Sequence, residues 1–255
     1  MVEPVRKEDK TDISKKVEEL LLGIFLLIER VLTTFCNFLL RPSLVAREIA
    51  DNEPLSDAFP KRYARPVTYF FATFAVMLGG FILLFKTMPD AQDMEKKNPF
   101  IALFIKASQD AKITGIIIVL LPFILAVGLH SYTFYWSNRK KHPQITFRNS
   151  LYMSSYFSGN VALVYILLLP LMPLFKGEYW WSMSMLTKVW IGALSIIGWG
   201  ALFRFLYSYL VFVRYLCNCR WWSAVGMYLK GLFFFFVFYY LILAWLAPLA
   251  FSLME

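Results

Sequence analysis

Val67-Thr-Tyr-Phe-Phe-Ala-Thr-Phe-Ala-Val-Met-Leu-Gly-Gly-Phe-Ile-Leu-Leu-Phe85 runs for nineteen residues without a charged side chain. As a helix rising about 1.5 Å per residue, it is long enough to cross roughly 30 Å of hydrocarbon. Its approach is cationic, with Arg47, Lys61, Arg62 and Arg65, and it is punctuated by Pro54, Pro60 and Pro66. Pro66 suits the first turn of a helix, where its missing N–H is not needed. Cations gathered before a crossing segment mark the face they occupy as cytoplasmic.

The rest of the chain repeats this pattern. Of 255 residues, 59% are hydrophobic and 18% aromatic, and the apolar residues fall in long uncharged blocks. Blocks at 67–85, 113–136, 150–175, 189–213 and 231–253 predict five crossings. The expected fold is an all-α integral membrane protein, a five-span helical bundle with an N-terminal amphipathic interfacial helix. Residues 1–11 read as a disordered polar tail, 12–65 as a cytoplasmic amphipathic helix with a basic connector, and 66–255 as the transmembrane domain.

Between residues 12 and 40, Val17, Leu20, Leu21, Ile24, Leu27, Ile28 and Val31 recur at helical spacing. Glu29-Arg30 would fall near the bilayer centre if this helix crossed, at a cost of about 3 kcal/mol per charge. A helix lying on the membrane or packed against the bundle fits better, although a span with Glu29 and Arg30 paired to each other remains the alternative. Ala75 and Gly79 form a small-xxx-small pair suited to close helix approach. Residues 99–105 are apolar but too short to cross, and read as a re-entrant or interfacial turn. Aromatic clusters at Tyr132–Trp136 and Tyr179-Trp180-Trp181 belong at the headgroup level. With the N-terminus in the cytoplasm, all eleven arginines lie on that side, giving an N-in, C-out protein.

The formal net charge of +9 does not indicate nucleic acid, because the excess sits at the ends of apolar blocks, where it meets lipid headgroups. Cys36, Cys217 and Cys219 form no disulfide framework. Cys217-Asn-Cys219 with His142 offers three ligands where zinc takes four, so neither a metal nor any other cofactor is expected. Juxtamembrane cysteines are also palmitoylation sites in some hosts. After Asp110 the acids are Glu178 and Glu255 alone, so no predicted span carries a carboxylate. Acid–base catalysis and cation-coupled transport both draw on such a group. Phosphate-loop, zinc-protease and serine-hydrolase motifs are missing as well.

What remains is cationic and polar. Arg139, Lys140, Lys141, Arg148, Arg204, Arg214, Arg220 and Lys230 are candidate contacts for anionic headgroups on the cytoplasmic side or for protein partners. His130, Ser154, Ser158 and Asn160 are intramembrane polar residues. His130 and Arg204 at similar depth suggest either a site for a lipid phosphate or plain helix–helix hydrogen bonding. Ser150, Ser154 and Ser158 share a helical face, which reads as a packing seam or a hydrophilic groove. An amide near mid-bilayer, as at Asn160, needs a partner.

Two stretches carry a resemblance. Phe38-Leu-Leu-Arg41-Pro42-Ser-Leu-Val-Ala-Arg47-Glu48-Ile49 and Lys61-Arg62-Tyr63-Ala-Arg65-Pro66-Val-Thr-Tyr-Phe70 resemble an uncharacterised bacterial inner-membrane family with an R-P-G-x-x-x-R-E-Y segment before several spans. Members often carry an N-terminal zinc ribbon, which is absent here, and prefer glycine where this chain has Ser43. The layout is also similar to Yip-type five-span membrane proteins. The resemblance implies an accessory, assembly or trafficking role and brings no catalytic motif. The expected function is a non-enzymatic membrane accessory subunit that binds lipid or protein partners, in a larger complex or a homo-oligomer. The alternative is a small transporter or lipid-translocating protein with a polar path along the third block.

Overall fold

The computed structural model describes residues 8–51, 60–87, 113–168 and 184–252. These residues form seven helices: α1 (Glu8–Leu40), α2 (Pro42–Asp51), α3 (Pro66–Thr87), α4 (Ile113–Asn138), α5 (Phe147–Leu168), α6 (Met185–Cys217) and α7 (Trp221–Ser252). The local sequence accounts for their ends. Pro42 and Pro66 each occupy a first helical turn. Ser184 caps α6 by accepting the Thr187 N–H at 3.2 Å. Asn218 ends α6 in the left-handed region at φ 45°, which its short polar side chain tolerates, and the Cys219 N–H reaches back to the Arg214 carbonyl. The turn proposed at 99–105 and the belt at Tyr179-Trp180-Trp181 lie outside the described residues.

Helix α3 packs on α5, α4 on α5 and α7, and α6 on α5 and α2. Helices α3 to α7 alternate in direction. The starts of α3, α5 and α7 therefore share one end with the finishes of α4 and α6. Cross-links at that end agree: Gln144 Nε2 donates to the Cys217 carbonyl, Lys230 Nζ to the Ser137 carbonyl, and Tyr215 Oη to Asp51. The core is aromatic, with Phe38, Tyr69, Phe74, Tyr156, Phe205 and Tyr209 fully buried. Ring centroids of 5.1 Å for Phe38–Tyr156, 5.5 Å for Tyr69–Tyr156 and 5.2 Å for Tyr209–Tyr228 are tilted or edge-on contacts, as ring quadrupoles favour.

The closest helix approaches fall on glycines other than the one expected. A Cβ on Gly159 would lie 2.7 Å from the Tyr69 ring, and one on Gly231 would lie 3.1 Å from Phe134 Cα. Around Gly79 there is nothing within 4 Å, and Ala75 is exposed, so that pair mediates no close packing among the described residues.

The five-span expectation is corrected. Among the described residues two helices are long and apolar enough to cross a membrane, Met185–Cys217 and Trp221–Ile242. The remaining blocks do not qualify within the described residues, and α4 and α5 carry polar side chains there. The described apolar part of α3, Pro66–Gly80, is a shorter helix. Helix α4 spends its last turns on His130, Ser131, Thr133, Ser137 and Asn138. Helix α5 opens with Arg148 and Asn149 and then carries Ser150, Ser154, Ser155, Ser158 and Asn160. Helices α6 and α7 differ from the buried helices of a soluble core, because only 17% of each apolar window is buried. Trp190, Ile196, Ile197, Trp199, Phe203, Phe233 and Tyr240 all face outward. Such a surface suits lipid or a covering partner.

Helix α1 is one continuous helix whose halves differ. Phe38, Thr34 and Val31 are buried against the bundle, whereas residues 15–26 are exposed on every side, including Leu20, Leu21, Leu22, Ile24 and Phe25. The amphipathic face expected of residues 12–40 is therefore buried only in the C-terminal part.

Candidate functional site

The end shared by α1, α2, the turn after α4 and the turn after α6 collects the cations. Arg139, Lys140 and Lys141 sit exposed on the turn after α4, and Arg148 is exposed on the first turn of α5. Arg214 lies over the Trp221 ring at 4.8 Å and Arg139 over Tyr135 at 5.5 Å. These distances are in the range of cation–π attraction. Arg220 is exposed just before α7, beside Trp222, which is 86% exposed. From Pro60 to Ser252 the described residues include no Asp or Glu. Among the described residues the carboxylates at this end are Glu48 and Asp51, and both are engaged: Glu48 with Arg62 and Tyr63, Asp51 with Arg47 at 3.6 Å and with Tyr215. The described part of this surface is therefore positive, and such a surface attracts anionic headgroups or acidic partners.

Arg204 is the exception within the predicted cationic set. Its Nε donates to the Leu39 carbonyl at 2.8 Å and its Nη2 to the Leu40 carbonyl at 3.4 Å, while Ser208 Oγ donates to the Phe38 carbonyl at 3.0 Å. The last carbonyls of a helix lack partners of their own, and here α6 supplies them with a guanidinium and a hydroxyl. Arg204 thus clamps the end of α1.

The predicted intramembrane polar residues form a closed seam. His130 Nδ1 lies 2.8 Å from Ser154 Oγ, joining α4 to α5, with Tyr209, Tyr228 and Phe235 packed around the imidazole. Tyr69 Oη donates to Asn160 Oδ1 at 2.6 Å, joining α3 to α5. Ser150 and Ser155 donate to carbonyls of their own helix. Ser158 is half-buried and lines an apolar groove of about 190 Å³ among Phe70, Phe74, Val127, Phe157 and Tyr165. Among the described residues the face at Ser150, Ser154 and Ser158 is thus a packing seam, and His130 and Arg204 serve separate contacts.

Sequence reasoning gave no weight to the residues that lock the connector in place. The Ala64 N–H donates to Thr34 Oγ1 at 2.9 Å, and the Ala64 carbonyl accepts from Tyr156 Oη at 2.8 Å. One residue thereby ties α1, the connector and α5 together. Tyr63 donates to Glu48 Oε2 at 2.7 Å. Burial first, then this hydrogen bond to a carboxylate, pushes the Tyr63 phenol up to about 12. The bond to Glu48 is also the main reason that the Arg62 guanidinium is raised. A tyrosine placed within an uncharged run, where its hydroxyl must find a partner, is the signal that points to Tyr69 and Tyr156.

Among the described residues no three His, Cys, Asp or Glu side chains gather as metal ligands. Cys217 is buried and Cys219 half-buried at the α6–α7 turn. The chain matches no protein-family model, no curated protein and no solved structure.

Proposed function

We propose that this protein is a non-enzymatic accessory subunit of a membrane, which uses its cationic end to engage anionic headgroups and protein partners. One observation carries the reading. Among the described residues, the predicted polar side chains His130, Ser154 and Asn160 are held in internal contacts, while the cations at one end face outward with few carboxylates beside them. A substrate path or catalytic centre calls for the reverse, with polar groups directed into an accessible cavity. The transporter alternative loses support for the same reason, since Ser154 and Asn160 are spoken for. Exposed apolar residues Leu20, Leu21, Leu22, Ile24, Phe25 and Leu26 of α1 give a partner or a lipid surface something to cover.

Under the positive-inside rule the cationic end faces the cytoplasm, which puts α2 and the connector there. Helix α7 starts at that end and, in crossing, carries the C-terminal residues toward the opposite face. A bacterial inner membrane and kinship with the uncharacterised family of the Arg41-Pro42 segment belong to the same proposal. Purification of the tagged chain from its native membrane in mild detergent tests it. Reproducible protein partners at near-stoichiometric yield are expected, and a strictly lone monomer across detergents would overturn the reading.

A further inference from the structure

The turn joining α4 to α5 carries an open pocket of about 490 Å³, lined by Tyr135, Arg139, Lys140, Ile145, Thr146 and Phe147. We propose that this pocket binds the phosphate of an anionic phospholipid headgroup. The inference rests on the membrane reading above and names the ligand of one part of the cationic end.

Three observations support it. The first is charge. Arg139 and Lys140 are both exposed, and the described residues from Pro60 onward hold no carboxylate to neutralise them. Arg139 is also oriented in advance, because Nη1 donates to Tyr135 Oη at 3.4 Å and the guanidinium lies over the Tyr135 ring. That contact leaves further N–H donors of the planar fork for a phosphate, the group whose geometry the fork matches.

The second is position. Tyr135 and Phe147 line the pocket with ring centroids 6.2 Å apart, and Tyr132 and Trp136 are exposed on the same last turns of α4. Such rings settle at the headgroup level of a bilayer. A phosphate reaching the pocket from a lipid would keep its glycerol against the two lining rings and its chains along the apolar exterior. A free phosphate gains nothing from them.

The third is that the pocket is built in. Asn138 Nδ2 donates to the Phe134 carbonyl at 2.9 Å and the Met227 carbonyl at 3.3 Å, which fixes the end of α4 against α7. Backbone bonds from Lys141 and His142 to the Asn138 carbonyl, and from Ile145 to the His142 carbonyl, hold the turn in shape. Its volume lies in the ordinary range for small-ligand sites, about 300–1,000 Å³.

The test is native mass spectrometry of the full chain in neutral detergent, titrated with phosphatidylglycerol or with phosphatidylcholine. Retention of phosphatidylglycerol over phosphatidylcholine is expected. The double variant Arg139→Gln/Lys140→Gln should weaken phosphatidylglycerol retention about tenfold or more. Lys15→Gln/Arg30→Gln removes the same charge from exposed positions of α1 outside the cationic end and should cost under about twofold. Equal losses for the two pairs would mean diffuse attraction and would sink the pocket, while leaving the accessory-subunit reading to its own co-purification test. Equal retention of the two lipids, or displacement of phosphatidylglycerol by soluble glycerophosphate at matched concentration, would overturn the lipid assignment.

Discussion

At the scale of single residues, the bond between Tyr69 and Asn160 is the clearest case of a polar pair whose value lies in mutual satisfaction. Removing one partner leaves the other buried without a hydrogen bond, at a cost of about 1–3 kcal/mol. Asn160→Leu should lower the unfolding free energy in detergent by that order, and Tyr69→Phe by less. The double variant should cost less than the sum, because neither residue is then stranded. A double-mutant cycle by denaturant titration checks this, and simple additivity would mean that the two groups act independently. Tyr63 makes a pH-dependent contribution of definite sign. Its phenol is held neutral in the fold, with a pKa raised from 10.0 to about 12. The associated stability is complete below pH 10 and fades as pH rises through the folded value. An ultraviolet tyrosinate titration of the chain minus that of Tyr63→Phe should therefore show one tyrosine ionising near pH 12.

At the scale of elements, the fold depends on two devices. The first is the clamp from α6 onto the end of α1. Arg204→Leu withdraws two donors from the Leu39 and Leu40 carbonyls, and Ser208→Ala withdraws one from Phe38. Faster amide exchange and easier proteolysis confined to α1 are expected for Arg204→Leu. Exchange unchanged in α1, or raised equally throughout the bundle, would show that the clamp is not what holds this helix. The second device is the absence of a Cβ at Gly159, where α5 meets the Tyr69 ring and Thr73. Gly159→Ala forces the ring or the helix to move, with an overpacking cost of about 1–3 kcal/mol. Gly79→Ala, on the same kind of helix but in open space, should be neutral or stabilising by up to about 1 kcal/mol. Thermal denaturation of the two variants in one detergent makes the comparison.

At the scale of the whole molecule, two helices with outward-facing apolar surfaces and a cationic end define what the protein can bind. The exposed Trp and Phe side chains of α6 and α7 need lipid, detergent or a partner around them. Alkaline carbonate washing of native membranes should therefore leave the chain in the pellet. Release into the wash would mean that a peripheral partner, and not lipid, covers those faces. In the proposed function the positive end would both set the direction of insertion and draw in anionic headgroups, two effects that share one charge distribution.

Helices, their proline-set starts and the outward apolar character of α6 and α7 are all readable in the sequence, because periodicity, capping and uncharged length are local properties of the chain. The clustering of cations at the ends of apolar blocks was equally legible. Which polar residues of a block turn inward was not, since an uncharged block says nothing about how many of them will be bonded inside, as α5 does with Ser154 and Asn160. The partners were invisible too. Tyr69 and Asn160 stand 91 positions apart, and Arg204 stands 165 from the carbonyl it serves. Which hydroxyl meets which amide depends on which helices pack and in what register, and only the tertiary structure fixes that, because a buried polar group must be satisfied by whatever neighbour the packing brings to it.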